Sequence, residues 1–252
     1  MVVIPQKFKI GFFDCDAYAY LRISRLFEFF QETALTYLRD QGFDYLSMIK
    51  KDKFTLVISR IKLKISHLPI WGEEISISTW LKGFGPEKVA WNDYDVRDSQ
   101  GNSIMQATSS FLLVDLRDGK AKSFAEGPYR FGISSELSAL PEAIDLLEPS
   151  GMPKIVSVKA VRYSDIDLNY HVNNCRYSDW VFDAVSMEEL KERRIRSIQL
   201  NYMQQVEYNA KVALMRFPNT RHHVIIFGVN EEHPEQAHFQ ARIGFDKAFD
   251  AG

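Results

Sequence analysis

Cysteine is nearly absent. Cys15 and Cys175 are the two in 252 residues, too few for a disulfide framework or, on their own, a zinc site. An excess of one charge is missing as well: 31 Lys and Arg stand against 33 Asp and Glu, a formal net charge of −2. That balance excludes a strongly basic nucleic-acid binder or a polybasic membrane-surface protein. No apolar run approaches the ~18–20 residues that cross a bilayer, so no membrane span is expected. The opening MVVIPQKFKIGFFD has no continuous apolar segment followed by a small-residue cleavage site, so no signal peptide is expected. Also missing are G-x-S-x-G, G-x-x-x-x-G-K-[ST], H-E-x-x-H and C-x-x-C, the marks of a nucleophile elbow, a phosphate loop and metal or redox sites. The pair His222 and His223 has no carboxylate or thiol cluster to support a metal. The expectation is a protein of the reducing cytoplasm with neither metal nor cofactor.

What is present is an ordinary globular composition, 46 % hydrophobic and 25 % charged, long enough for one large domain or two small ones. Over 21–39, Ile23, Leu26, Phe27, Phe30, Ala34, Tyr37 and Leu38 recur at spacings of three and four, one apolar stripe of a helix. Strand-like runs follow at 54–66, 74–80, 89–97 and 103–115, with a hairpin turn over 98–102. The stretch 124–154 carries Pro128, Pro141, Pro149 and Pro153 and reads as a linker crossing the molecule, with a short helical piece near 141–147. The order then recurs: a strand at 155–162, a helix over about 172–192, and strands at 195–206, 210–217, 222–229 and 237–245.

The recurrence reaches single residues. Asp14-x-Asp16 heads the first helix, and Asp165-x-Asp167, 151 positions later, heads the second. The run RIKLKISHLPIWG from Arg60 aligns with SIQLNYMQQVEYN from Ser197, 137 positions later. Two matches in the same order, flanking the same element types, indicate duplication. A helix followed by an antiparallel meander, made twice, predicts an α+β tandem (double) hot-dog, two long central helices each wrapped by a curved antiparallel sheet. The expected divisions are an N-terminal hot-dog over 1–123, the linker over 124–154 and a C-terminal hot-dog over 155–252.

From Asp165 to Trp180 the sequence reads DIDLNYHVNNCRYSDW. It resembles the acyl-acyl-carrier-protein thioesterases of plant plastids and bacteria, whose pattern here is D-L-D-x-N-x-H-V-N-N-x-x-Y-x-x-W. The likeness extends to the runs 59–80 and 107–111 and covers about 8–245. The resemblance implies a tandem hot-dog that hydrolyses the thioester between a fatty acyl chain and the phosphopantetheine arm of acyl carrier protein. The family's catalytic Asp, Asn and His fall on Asp167, Asn169 and His171. A family Glu, followed by a Cys, in the strand after the helix falls on Gln205 and Val206, a departure from the pattern. Carrier proteins are acidic, and Arg60, Lys62 and Lys64 are the candidate basic surface for that partner. A monomer and a homodimer fit equally.

Chemically, Asp167 can serve as general base or as nucleophile. Asn169 can hold water or the carbonyl, and His171 can orient Asp167 or supply positive charge. Alternation places all three on one side of an extended segment. Backbone N–H groups of the first helical turn, those of Val172 and Asn173 first, are the candidate oxyanion donors. Plainer roles exist: Asp167 or Asn169 can cap the helix, and His171 can be a satisfied, partly buried histidine. In the first half Tyr18 and Tyr20 stand opposite Asn169 and His171, which predicts one active site per chain, in the C-terminal half. The first half, with Phe27, Phe30 and Tyr37, is expected to line the acyl tunnel. Gln205 can position but cannot be a base, and Glu207 is expected on the same strand face two residues on. An acyl-coenzyme A thioesterase and a non-catalytic acyl-binding protein are the alternative readings.

Overall fold

The apolar stripe at Ile23, Leu26, Phe27 and Phe30 makes Ile23–Asp40 a helix, α1, and turns those residues into the core. In the computed structural model, residues 5–85, 88–124, 129, 131–134, 136–218, 220 and 222–246 are described. The chain divides into two units, Met1–Ala143 and Ile144–Gly252.

The first unit runs β1 (Gln6–Lys9), α1, a single turn α2 (Tyr45–Ser47), β2 (Phe54–Ile65), β3 (Glu74–Phe84), β4 (Val89–Asp98), β5 (Ser103–Asp115) and β6 (Lys120–Lys122). Its sheet is antiparallel in the order β1-β3-β4-β5-β2, with β6 on β5. Phe30 of α1 stacks on Tyr94 of β4, with ring centroids 4.4 Å apart. Phe27 and Phe30 are buried, and the Tyr37 hydroxyl donates to the Gly132 carbonyl at 3.3 Å.

The second unit runs β7 (Lys154–Ala160), α3 (Asn174–Asp183), α4 (Met187–Glu192), β8 (Ile195–Tyr202), β9 (Lys211–Arg216), β10 (His223–Asn230) and β11 (Ala237–Phe245). The antiparallel order is β8-β11-β10-β9-β7. The long helix expected over 172–192 is two helices. The Ser186 hydroxyl accepts from the Glu189 N–H at 3.2 Å while the Glu189 carboxylate takes the Ser186 N–H, a capping box that starts a new helix. On α3, Cys175, Tyr177, Trp180 and Val181 face the sheet, where Phe239 of β11 lies edge-on to Tyr177 at 5.3 Å. The Phe239 ring crosses Gly228 of the neighbouring strand so closely that a Cβ there would lie 1.9 Å from it. Gly228→Ala is therefore expected to destabilise the protein by about 1–3 kcal/mol through overpacking, read as a lower urea midpoint at unchanged slope.

The expected linker is not one free-standing segment, because the boundary between the units falls inside it. Its residues 125–128, 130 and 135 lie outside the described residues, Pro128 among them. The stretch near 141–147 is not helical; its backbone groups bond to the sheet instead of to one another. In the first unit the Ala139 N–H donates to Asp93 at 2.6 Å, and Lys82 donates to the Leu140 carbonyl at 2.8 Å. In the second, the Asp145 carbonyl accepts the Gln199 and Asn201 amides at 2.6 and 3.1 Å. The Gln240 carboxamide brackets Leu147, accepting its N–H at 2.9 Å and donating to its carbonyl at 3.3 Å. The linker is thus a strap held by β3 and β4 in one unit and by β8 and β11 in the other.

Candidate active site

The two units repeat one hydrogen-bonded frame at the start of their first helix. In the first, the Asp16 N–H donates to the Tyr20 carbonyl (2.8 Å) and the Ala19 N–H to the Asp16 carbonyl (3.1 Å). In the second, Asp167 pairs with His171 (2.9 Å) and Tyr170 with Asp167 (3.1 Å) in the same way. Ala19 and Tyr170 both adopt left-handed backbone, φ 65° and 63°. The Leu21 N–H donates to the Pro69 carbonyl at 2.8 Å and, correspondingly, Val172 to Val206 at 3.0 Å. The helix entrance and the corner after the strand are therefore tied together in each unit.

Within this frame the segment from Asp167 to His171 is a tight turn, not the extended run that alternation implied. The Asp167 Oδ1 accepts the Asn169 N–H at 2.8 Å, folding the chain back so that Asp167 and His171 sit side by side at its base. Among the described residues, the second carboxylate oxygen of Asp167 and the carboxamide of Asn169 have no hydrogen-bond partner, and the His171 Nδ1 is buried and unbonded. All three residues therefore belong to one turn, Asp167 and Asn169 partly exposed and the His171 nitrogen buried. The sibling differs: Asp16 Oδ1 accepts two N–H groups, from Tyr18 (2.9 Å) and Tyr20 (3.0 Å), whereas Asp167 has one.

The expected oxyanion donors are corrected. The Val172 N–H is taken by the Val206 carbonyl and the Asn173 N–H by the Asp165 carbonyl at 2.8 Å, because the frame needs both to close. Asn173 itself caps α3, its side chain accepting the Cys175 N–H at 2.9 Å. The N–H groups of Asn174 and His171 remain without an acceptor among the described residues.

Gln205 lies past the end of β8, in a corner where the Met203 and Gln204 N–H groups both turn to the His238 carbonyl, at 2.8 and 3.2 Å. Strand-face reasoning for Gln205 and Glu207 therefore fails. Both are exposed, while Val206 between them is buried. Lys64 is bonded to Glu142 of the strap, and Lys62 faces the same carboxylate. That part of the predicted basic patch thus pairs with an acidic group of the strap, both side chains partly exposed. Arg60, half-buried on β2, is engaged too.

Two residues at the site have no role in the sequence reading, Tyr177, which the motif contains, and His238, which it does not. Tyr177 is buried, its hydroxyl against the Val206 backbone N–H. Burial, with the nearby Asp167 carboxylate adding to it, pushes the phenol well above its ordinary value. His238, 7 % exposed, has both ring nitrogens buried and unbonded. Burial pushes the imidazole down, with the adjoining Gln204 backbone opposing. An unsatisfied buried polar group costs about 1–3 kcal/mol. The signal that finds both is subtraction of one unit from the other: Leu26 holds the place of Tyr177, and Ile104, whose carbonyl accepts the Ser66 and His67 N–H groups at 2.9 and 3.2 Å, holds that of His238.

Comparison with known proteins gives a consistent picture. Residues 2–127 match the acyl-ACP thioesterase N-terminal domain, and residues 153–247 the acyl-ACP thioesterase C-terminal domain. The chloroplastic palmitoyl-acyl carrier protein thioesterase of Arabidopsis thaliana is 22 % identical over 213 residues, covering 80 % of this chain and 52 % of that protein. This chain thus spans about half the length of the curated relatives it matches. An acyl-ACP thioesterase from Bacteroides thetaiotaomicron superposes with a TM-score of 0.79 at 20 % identity, over 97 % of this chain and 98 % of the other. The 12:0-ACP thioesterase of Umbellularia californica gives 0.76 at 19 %, over 97 % of each. These likenesses show the tandem hot-dog fold.

Proposed function

The chain belongs to the acyl-ACP thioesterase family, and from that premise we propose that it hydrolyses fatty acyl-acyl carrier protein to free fatty acid and the carrier thiol. The observation that carries the reading is the turn at the entrance to α3. It gathers a carboxylate oxygen, a carboxamide and an imidazole nitrogen with no bonds to one another, in one unit only. A buried polar atom without a partner calls for one, and the His171 nitrogen that lacks it lies on the same turn as the partly exposed Asp167 and Asn169.

In this mechanism Asp167 takes a proton from a water molecule held by Asn169 and Gln205, and the water oxygen bonds to the thioester carbonyl carbon. The resulting oxyanion is met by the free N–H groups of Asn174 and His171, reinforced by the α3 dipole. The carbon–sulfur bond then breaks, the sulfur leaves as the phosphopantetheine thiol, and His171 relays the proton it takes up. No described helix is long and apolar enough to cross a membrane. We place the protein in the cytoplasm, as a monomer or homodimer, where its unpaired Cys15 and Cys175 stay reduced.

The test is to incubate the purified protein with palmitoyl-carrier protein and, separately, palmitoyl-coenzyme A, and to follow free thiol. Release from the carrier protein, and much slower release from coenzyme A, is expected. Faster release from coenzyme A would move the reading to an acyl-coenzyme A thioesterase. Acyl binding with no thiol from either substrate would overturn hydrolysis altogether.

A further inference from the structure

Among the described residues, His238 alone has every side-chain nitrogen buried without a partner. Packing does not ask for an imidazole there. Ile104 fills the corresponding place in the first unit at 6 % exposure, under an equivalent pair of corner N–H groups. His238 sits at a β-bulge, since Phe239 pairs with Gly228 and Ala237 with Val229, and Ile104 sits at the same bulge, since Met105 pairs with Val96 and Ser103 with Arg97. The histidine is thus an unbonded polar residue at a bulge that the sibling unit fills with an apolar one, and it occurs in the unit that carries Asp167, Asn169 and His171.

Resting on the hydrolase reading above, we infer that His238 is a positioning residue. Its ring N–H closes onto the Gln204 carbonyl when a thioester is bound, fixing residues 203–206 and with them Gln205. The corner already pivots on the His238 main chain, through the bonds from Met203 and Gln204. Its other end is tied to the Asp167 turn by the bond between Val172 and Val206. The ring adjoins the Gln204 backbone without meeting hydrogen-bond geometry. Hydrogen bonds that act in catalysis are often long or poorly aligned in the unliganded enzyme and tighten in the complex. The nitrogens left idle here acquire their use in that closed state.

The deciding variant is His238→Ile, the residue the sibling unit uses. Its melting temperature should be no lower than that of the wild type, because an unsatisfied group is removed. Its kcat should fall about tenfold with KM within about twofold, the pattern of an interaction made only in the transition state. His238→Gln, which restores an uncharged donor, should recover most of the loss. In a Gln205→Ala background the His238→Ile step should change kcat by less than about twofold, since the route through Gln205 is gone. A wild-type kcat in His238→Ile, or a full tenfold loss in the Gln205→Ala background, overturns the inference. So does a drop in kcat that glutamine does not rescue and that tracks a drop in melting temperature. A wild-type protein releasing no thiol removes the hydrolase reading and this one together; wild-type release matched by His238→Ile removes this one alone.

Discussion

Asp167→Asn is expected to lower thiol release by about a thousandfold, the scale of losing a positioned general base, while the protein stays folded. The asparagine oxygen can still accept the Asn169 N–H that Asp167 Oδ1 accepts at 2.8 Å, so the turn and its bond to the His171 carbonyl survive. What is lost is the proton-accepting ability of the oxygen that bonds to nothing in the described structure. Two controls give this result its meaning. Glu207→Gln removes an exposed carboxylate of the neighbouring corner and should leave turnover nearly unchanged. Asp16→Asn makes the same exchange in the equivalent turn of the first unit, and it too should leave turnover nearly unchanged. A larger loss from Glu207→Gln than from Asp167→Asn would transfer the base to Glu207 and undo the assignment.

The largest effect on stability is expected at Asp93. Its carboxylate, fully buried on β4, accepts the Thr108 hydroxyl and the Ala139 N–H, both at 2.6 Å, and lies 3.7 Å from the Lys82 ammonium. Asp93→Ala takes the acceptor from Thr108 and Ala139 and the facing carboxylate from Lys82, which keeps its bond to the Leu140 carbonyl, and breaking such a buried constellation typically costs about 3–5 kcal/mol. A urea titration should show that loss. Asp93→Asn, which keeps an acceptor for the strap, should cost less. Burial is the dominant influence on this carboxyl and raises its pKa, against Thr108, Ala139 and Lys82, which lower it. Because the folded value lies above the unfolded one, the folded state binds more protons between the two, and stability there falls as pH rises. The wild type should therefore gain stability relative to Asp93→Asn as pH drops through the raised value toward the ordinary carboxylate range. A gap that widens in favour of Asp93→Asn on acidification would contradict the assignment.

Local patterns in the sequence located much of this architecture. β-branched and aromatic residues with flanking turn residues place β5 at Ser103–Asp115 as expected, and the apolar stripe places α1 to within two residues at its start. The break between α3 and α4 had a local sign too, Ser186 followed three residues later by Glu189, but a continuing helical period concealed it. The end of β8 had none. It stops at Tyr202 because two N–H groups turn toward His238, a residue 35 positions beyond Met203. For the same reason the oxyanion donors were misplaced: the partners that occupy Val172 and Asn173, the Val206 and Asp165 carbonyls, come from outside the helix. Residue identity brought Asp167, Asn169 and His171 to notice; the turn is closed by local bonds, while its tie to the corner at Val206 is distant in sequence. His238 stayed hidden because its counterpart Ile104 lies 134 positions earlier, an offset matching neither repeat spacing.

The turn built around Asp16 keeps the backbone of the turn built around Asp167 while presenting tyrosines where the other presents an amide and an imidazole. Every molecule consequently carries its own blank. A probe that reports on the loop backbone, such as amide exchange at Tyr18 and Asn169, can be compared within one sample, at one pH and one temperature. Whatever separates the two signals belongs to side chains and bound substrate, with the scaffold cancelled out.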